Sequence, residues 1–314
     1  MPMDVNDAIR ALRSQGKNVT VRDARHLDID ERSYRHAATR STPTRADATR
    51  ALEHGDAVVF TPDTLTPSLR AFALKEPKAA VVTEEEIILE GRAITLREGK
   101  VQAVSKRGPK PYGRYALART LLATRGSFMQ LELAARVRIT QGAVAKALQH
   151  DLFGDVIVQT RAGGVHVTDR GELFDRILDS YPGPGGITTY WWKDTAPTLQ
   201  AKDIIEADPA ALRSGDVAAD LIRAWRRPEH AVVYAQRPVD PRDRGFATAD
   251  GSDYTLMVIH AADPTIPATA KTWTAPERVD PIIAAYDVRR TGTTGDQEEA
   301  VARLREYTVR GMDG

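Results

Sequence analysis

Between residues 114 and 169 the hydrophobic spacing switches from helical to alternating, and this constrains the fold more than any other feature. Tyr115, Leu117, Leu121 and Leu122 predict an amphipathic helix ending near Gly126. Ser127 stands three residues before Gln130, the spacing of a capping box, and predicts a short helix through Leu131, Leu133, Ala134 and Val137. Ile139 fills a turn, and Thr140 is a good N-cap for a third helix holding Val144 and Leu148 one turn apart. Residues 156–158 and 165–167 then read as strands around Gln159-Thr-Arg-Ala-Gly-Gly164, a hairpin with Gly-Gly at its turn and Arg161 at its tip. A helix from Arg170 to Ser180 leads away.

Two short helices around a tight turn describe a helix-turn-helix, and a basic-tipped hairpin behind them makes a winged helix. A recognition helix of this kind enters the major groove by its N-terminal end. With Val144, Ala147 and Leu148 in the core, Gln141, Gly142, Ala145, Lys146 and Gln149 face outward. Gln141 suits bidentate pairing with adenine, Lys146 suits phosphate, and Thr140 can bond a phosphate while it caps. Arg161 has the reach to enter a minor groove. From Ser105 to Arg125 the chain carries Lys106, Arg107, Lys110, Arg114, Arg119 and Arg125 and no acid. The extended Arg-Gly-Pro-Lys-Pro run within it fits a minor groove beside the domain. The competing readings are a protein-binding helix-turn-helix and a solvated basic tether.

Charge makes this concentration informative. Lys and Arg number 44 against 43 Asp and Glu, a net charge of +1, so a uniformly basic coat is excluded and any nucleic-acid surface is local. There are no cysteines, which removes disulfides, thiolate nucleophiles, iron–sulfur clusters and sulfur-ligated zinc. No apolar run reaches the ~20 residues of a membrane span, and the N-terminus has no signal-peptide core. The expected location is the cytoplasm, in association with the nucleoid.

Two breaks divide the chain. Ser105–Gly113 reads as an extended linker and Pro182-Gly-Pro-Gly-Gly186 as a second stop, giving expected domains 1–105, 106–182 and 187–314. In the first, Val5, Ile9 and Leu12 form a helix that Gly16 ends, and Arg-rich polar segments run to about Glu53. Strands follow at 57–60 and 79–83 around a helix at 67–74. The segments 86–90 and 93–96 pair across Gly91-Arg92, with 101–104 a further candidate strand. The third part mixes strands at 187–192, 231–234 and 256–260 with helices around 217–225, 281–290 and 297–307. The expected architecture is α/β multidomain, a central winged helix-turn-helix flanked by two α/β or α+β domains.

The run QLELAARVRITQGAVAKALQHDL, followed by VIVQTRAGGVHVTDRG, resembles bacterial winged-helix transcription regulators. ALRSGDVAADLIRAWRRPEHAVVYA and DPIIAAYDVRRTG are similar to the C-terminal region of actinobacterial AbiEi-type antitoxins of type IV toxin–antitoxin systems. Together they span roughly residues 114–307. The resemblance implies repression of an operon and a cognate toxin protein as partner. In that family the winged helix is N-terminal, whereas here residues 1–113 precede it.

Enzyme readings are weaker. Pro62-Asp63 with Glu98-Gly-Lys100 spells a PD-(D/E)xK nuclease, but the second half falls in an expected hairpin turn where the motif needs a strand. A degenerate nuclease-like domain fits better. Ser214-Gly215 before a helix is similar to the start of a nucleotidyltransferase core, yet 231–235 carries none of the metal-binding carboxylates that chemistry needs. The third domain is therefore expected to be a non-catalytic sensor or partner domain. The seven histidines show no ligand spacing. Tyr190-Trp191-Trp192 reads as core on one face and interface on the other, and Arg35, Arg40, Arg45 and Arg50 as solvated. The expected protein is a sequence-specific regulator of double-stranded DNA, a repressor or antitoxin-like autoregulator, with no cofactor, no metal and no catalysis. A homodimer is expected because one recognition helix reads few base pairs. The alternatives are a Mg²⁺ nuclease targeted by the winged helix and a protein-binding antitoxin with no DNA role.

Overall fold

A computed structural model describes residues 3, 5–37, 43–96, 111–160, 164–224, 227–249, 251–274, 277–292 and 295–310. The chain is mixed α/β and forms two compact units. One comprises residues 1–109 with 186–189 and 238–240; the other comprises 110–185, 190–237 and 241–314.

In the first unit, α1 (Val5–Ser14) precedes the strands β1 (Val19–Val21), β2 (His26–Ile29) and β3 (Arg32–Ala37). Then α2 (Arg45–Leu52), β4 (Ala57–Phe60), α3 (Pro67–Lys75), β5 (Ala79–Val82), β6 (Glu86–Leu89) and β7 (Arg92–Thr95) complete it. The seven strands lie in sequence order. β3, β4 and β5 run parallel through the crossovers α2 and α3, and hairpins flank them on both sides. Strand alternation separates two cores. Ala57, Val59, Ala80 and Val82 pack with Val5, Ile9 and Leu12 of α1. Val58, Phe60, Ala79 and Val81 face the opposite way, onto Leu69 and Ala73 of α3 and Ala48 of α2. β6 and β7 join across Glu90-Gly91, both at positive φ (51° and 74°), the turn that matches strand twist.

The polar stretch expected to run to Glu53 instead holds β1, β2, β3 and α2. Thr44 caps α2: its Oγ1 accepts from the Asp47 amide while the Asp47 carboxylate accepts from the Thr44 amide. The candidate strand at 101–104 lies outside the described residues.

The second unit opens with α4 (Tyr112–Leu121), β8 (Phe128–Met129), α5 (Gln130–Val137), α6 (Gln141–Leu148), β9 (Ile157–Gln159), β10 (Gly164–Val167) and α7 (Arg170–Ser180). β8, β10 and β9 form a small antiparallel sheet in that spatial order. There follow β11 (Ile187–Trp192), of which residues 190–192 belong to this unit, α8 (Pro197–Ala207), β12 (Leu212–Ser214), α9 (Gly215–Ile222) and β13 (Ala231–Tyr234). A 3₁₀ turn at Pro241–Arg244 precedes β14 (Ala247–Thr248) and β15 (Leu256–His260). The last helices are α10 (Ile266–Thr272), α11 (Pro281–Thr291) and α12 (Gln297–Arg310). The larger sheet has the order β12-β13-β15-β11-β14, with β13 and β15 parallel.

The segments expected as central and C-terminal domains share one hydrophobic cluster, in which Leu117, Leu121, Val144 and Phe174 join Val232, Ile283 and Leu304. α4 is the seam. Residues 115–123 are all buried, Arg119 among them at 0% exposure. A buried charge is tolerated only when paired and fully hydrogen-bonded. Arg119 meets that condition through Asp280 (3.0 Å), Asp263 (3.4 Å), Thr265 (2.7 Å) and Thr269 (3.1 Å). A second arginine, Arg170, donates to the carbonyls of Leu122 and Thr124 after α4 and of Thr308 and Val309 in α12.

Candidate nucleic-acid interface

The turn between α5 and α6 is built from three residues of different character. Arg138 adopts the left-handed conformation (φ 57°, ψ 44°) and ends α5, and the Ile139 amide still reaches the Ala134 carbonyl at 3.1 Å. Thr140 is extended, and its Oγ1 accepts from the Ala143 amide at 3.2 Å, satisfying one of the donors orphaned at a helix start. α6 then buries only Val144 and Leu148, with Ala147 half-buried. Gln141, Gly142, Lys146 and Gln149 are exposed, Thr140 is exposed before them and Ala145 is half-buried. The structure thus brings these six residues to one solvent-facing side, as the helical spacing predicts. The face carries one cation and no carboxylate.

Other expectations change. The Ser127–Gln130 capping box does not form, because Phe128 and Met129 are taken by β8 and Met129 becomes the N-cap of α5 with no side-chain bond. Of the apolar residues read into the short helix, Leu131 is 69% exposed, while Leu133, Ala134 and Val137 are buried. The basic run also divides. Arg119 is consumed by the buried carboxylates, and Arg125 donates to the Arg310 carbonyl at 2.8 Å. Arg114 is half-buried, with a buried Nε that makes no hydrogen bond among the described residues. Lys106, Arg107, Lys110 and Arg161 lie outside the described residues. Sequence reasoning missed Arg138, a cation directly before the exposed face of α6. The signal was its place at the end of α5, where the chain must reverse.

The catalytic spellings fall only in part among the described residues. Asp63 follows β4 by three residues and its Oδ1 is buried without a hydrogen bond among the described residues; Glu98 and Lys100 lie outside them. Ser214 Oγ donates to Asp287 Oδ2 at 2.5 Å, and Asp287 Oδ1 holds Arg290 Nε at 2.7 Å. Asp216 accepts from the Glu229 amide, a structural use of its charge. No group of three or more His, Asp or Glu capable of holding a metal exists among the described residues. Trp191 is buried and Trp192 is 47% exposed, the split expected of consecutive strand aromatics. Among the described residues no helix is long and apolar enough to cross a membrane. Comparison with protein-family models, curated proteins and solved structures finds no match to this chain.

Proposed function

We propose that residues 111–180 form a winged helix-turn-helix that binds double-stranded DNA sequence-specifically, and that the protein regulates transcription, as a repressor, in a homodimer. One observation carries this reading: the order α4-β8-α5-α6-β9-β10, closed by the sheet order β8-β10-β9, leaves α6 displaying Thr140, Gln141, Gly142, Ala145, Lys146 and Gln149 to solvent. Such a helix, preceded by a reversing turn and flanked by a hairpin, has the shape that lies in a major groove. In this reading Gln141 meets a base edge, and Lys146 and Thr140 meet phosphates. Arg161 and the run Lys106, Arg107, Lys110 and Arg114 add charge at the edges. The nucleoid is the location this implies, and a toxin partner follows only from the antitoxin resemblance.

The test is selection from a random duplex library with the full chain, followed by titration of the selected site and a scrambled one. Gln141→Ala weakens the selected site by ~1–3 kcal/mol and leaves the scrambled site nearly unchanged. Failure to enrich any sequence, or equal losses on both sites, overturns sequence-specific reading by α6.

A further inference from the structure

A cavity of about 810 Å³ opens beside α6, bounded by the start of α4 and by α10 with the residues before it. That is room for a small organic molecule rather than a lone ion. Val137, Ile139 and Ala268 give it apolar walls, and Arg114, Arg138 and Lys146 give it three cations; among the described residues no carboxylate lines it. None of the three cations forms an ion pair among the described residues. His150 adds another donor: its Nδ1 accepts from the Leu152 amide at 3.1 Å, which leaves the ring hydrogen on Nε2 in the neutral form. The Tyr112 hydroxyl is spent on the Pro184 carbonyl at 3.0 Å. The lining is therefore donor-rich, positively charged and apolar at once.

From this we infer that the cavity binds a small amphipathic anion, an aromatic or alicyclic carboxylate or phosphate ester, and that its occupancy lowers DNA affinity by engaging Lys146. The binding site stands on the cavity alone, whereas its effect on DNA rests on the function proposed above. DNA phosphate offers the same anionic chemistry, but a phosphate strand has no use for the apolar walls that Val137, Ile139 and Ala268 supply. Lys146 belongs both to the exposed face of α6 and to the cavity lining, so ligand and DNA compete for one ammonium.

Isothermal titration of the full chain with 1-naphthoate, 1-naphthyl phosphate and the neutral isostere 1-naphthamide tests the site without DNA. The anions bind about tenfold or more tightly than the amide, the worth of one charge-assisted hydrogen bond. Arg114→Gln and Lys146→Gln each remove most of that preference. Ala268→Trp, which fills the cavity from α10, abolishes anion binding while leaving affinity for the selected duplex intact. Equal affinity for anion and amide, no binding of either anion at millimolar concentration, or unaltered naphthoate binding by Ala268→Trp overturns the site. A duplex titration with and without naphthoate completes the test, with weaker DNA binding expected in the unmodified protein and no change in Ala268→Trp. If naphthoate binds as described while no duplex is ever bound, the site stands and the DNA reading falls. If the duplex binds but neither anion does, the reverse holds.

Discussion

Arg119→Met is the perturbation with the largest consequence for this fold. The guanidinium is fully buried, and burial opposes its charge, yet Asp280 and Asp263 outweigh that cost and hold its pKa above the ordinary arginine value. Methionine keeps most of the volume and removes every donor, so two buried carboxylates lose their cation. Breaking one side of a buried ion pair costs about 3–5 kcal/mol. The lower end applies here because both carboxylates keep other donors. Asp280 Oδ1 caps α11 through the amides of Ile282 and Ile283, and its Oδ2 still receives the Thr269 hydroxyl. Asp263 retains the Tyr181 hydroxyl at 2.7 Å and the Thr265 amide. At ~2–4 °C per kcal/mol for a unit of this size, the melting temperature falls by roughly 6–12 °C at about 3 kcal/mol. Urea titration gives the free energy directly. A cycle with Asp263→Asn separates the pair from the packing and returns a coupling of roughly 0.5–3 kcal/mol. A loss below about 1 kcal/mol, the worth of an ordinary hydrogen bond, together with zero coupling, would refute the view that Arg119 ties α4 to α10 and to the start of α11.

Thr140→Ala removes the cap of α6 and costs ~0.5–2 kcal/mol, read as faster amide exchange at Ala143 and Val144. Burial, with the nearby Asp263 charge, pushes the Tyr112 hydroxyl up to about 12. Its contribution to stability is thus full below the unfolded value of ~10 and is lost as pH rises from there through about 12. Tyrosinate absorbance during alkaline titration follows that loss, and Tyr112→Phe reduces it. Replacing Lys106, Arg107 and Lys110 with Ala lowers the log–log salt slope of DNA affinity by roughly 2–3, at ~0.9 per phosphate contact, whereas an unchanged slope identifies a solvated tether.

What the sequence disclosed follows from how local each signal is. β11, β13 and β15 match the expected bounds because each is an apolar run cut by polar punctuation, and the exposed side of α6 follows from helical period alone. β2 and β3 escaped notice because Asp28, Ser33 and Arg35 occupy the positions opposite to Leu27, Ile29 and Tyr34, so an antiparallel hairpin read as a polar segment. β8 escaped because two residues carry no period; its pairing with β10 through Val165 and Phe128 is set by tertiary contact. Arg119 is the clearest failure. In a run of arginines it reads as surface charge, and the carboxylates that bury it lie 144 and 161 positions further along the chain. Arg138 was hidden differently, since its left-handed backbone is a property of the turn and arginine does not advertise it.

The same non-local packing decides how this molecule can be regulated. A domain on a tether can be moved as a rigid body without disturbing its partner domain. Here α4 is tied in by its apolar side chains, by Arg119 to α10 and the N-cap of α11, and by Arg170, which bridges the carbonyls after α4 to those of α12. Trp273 seals the seam, with its indole N–H on the Arg119 carbonyl at 3.1 Å. Packed interiors respond to strain by switching between discrete arrangements rather than by bending continuously. A ligand at the cavity between α6 and α10 touches both sides of this seam at once, through Lys146 and through Ala268. Control of the proposed DNA-reading face by the inferred ligand therefore requires no hinge; filling the cavity takes Lys146 away from phosphate.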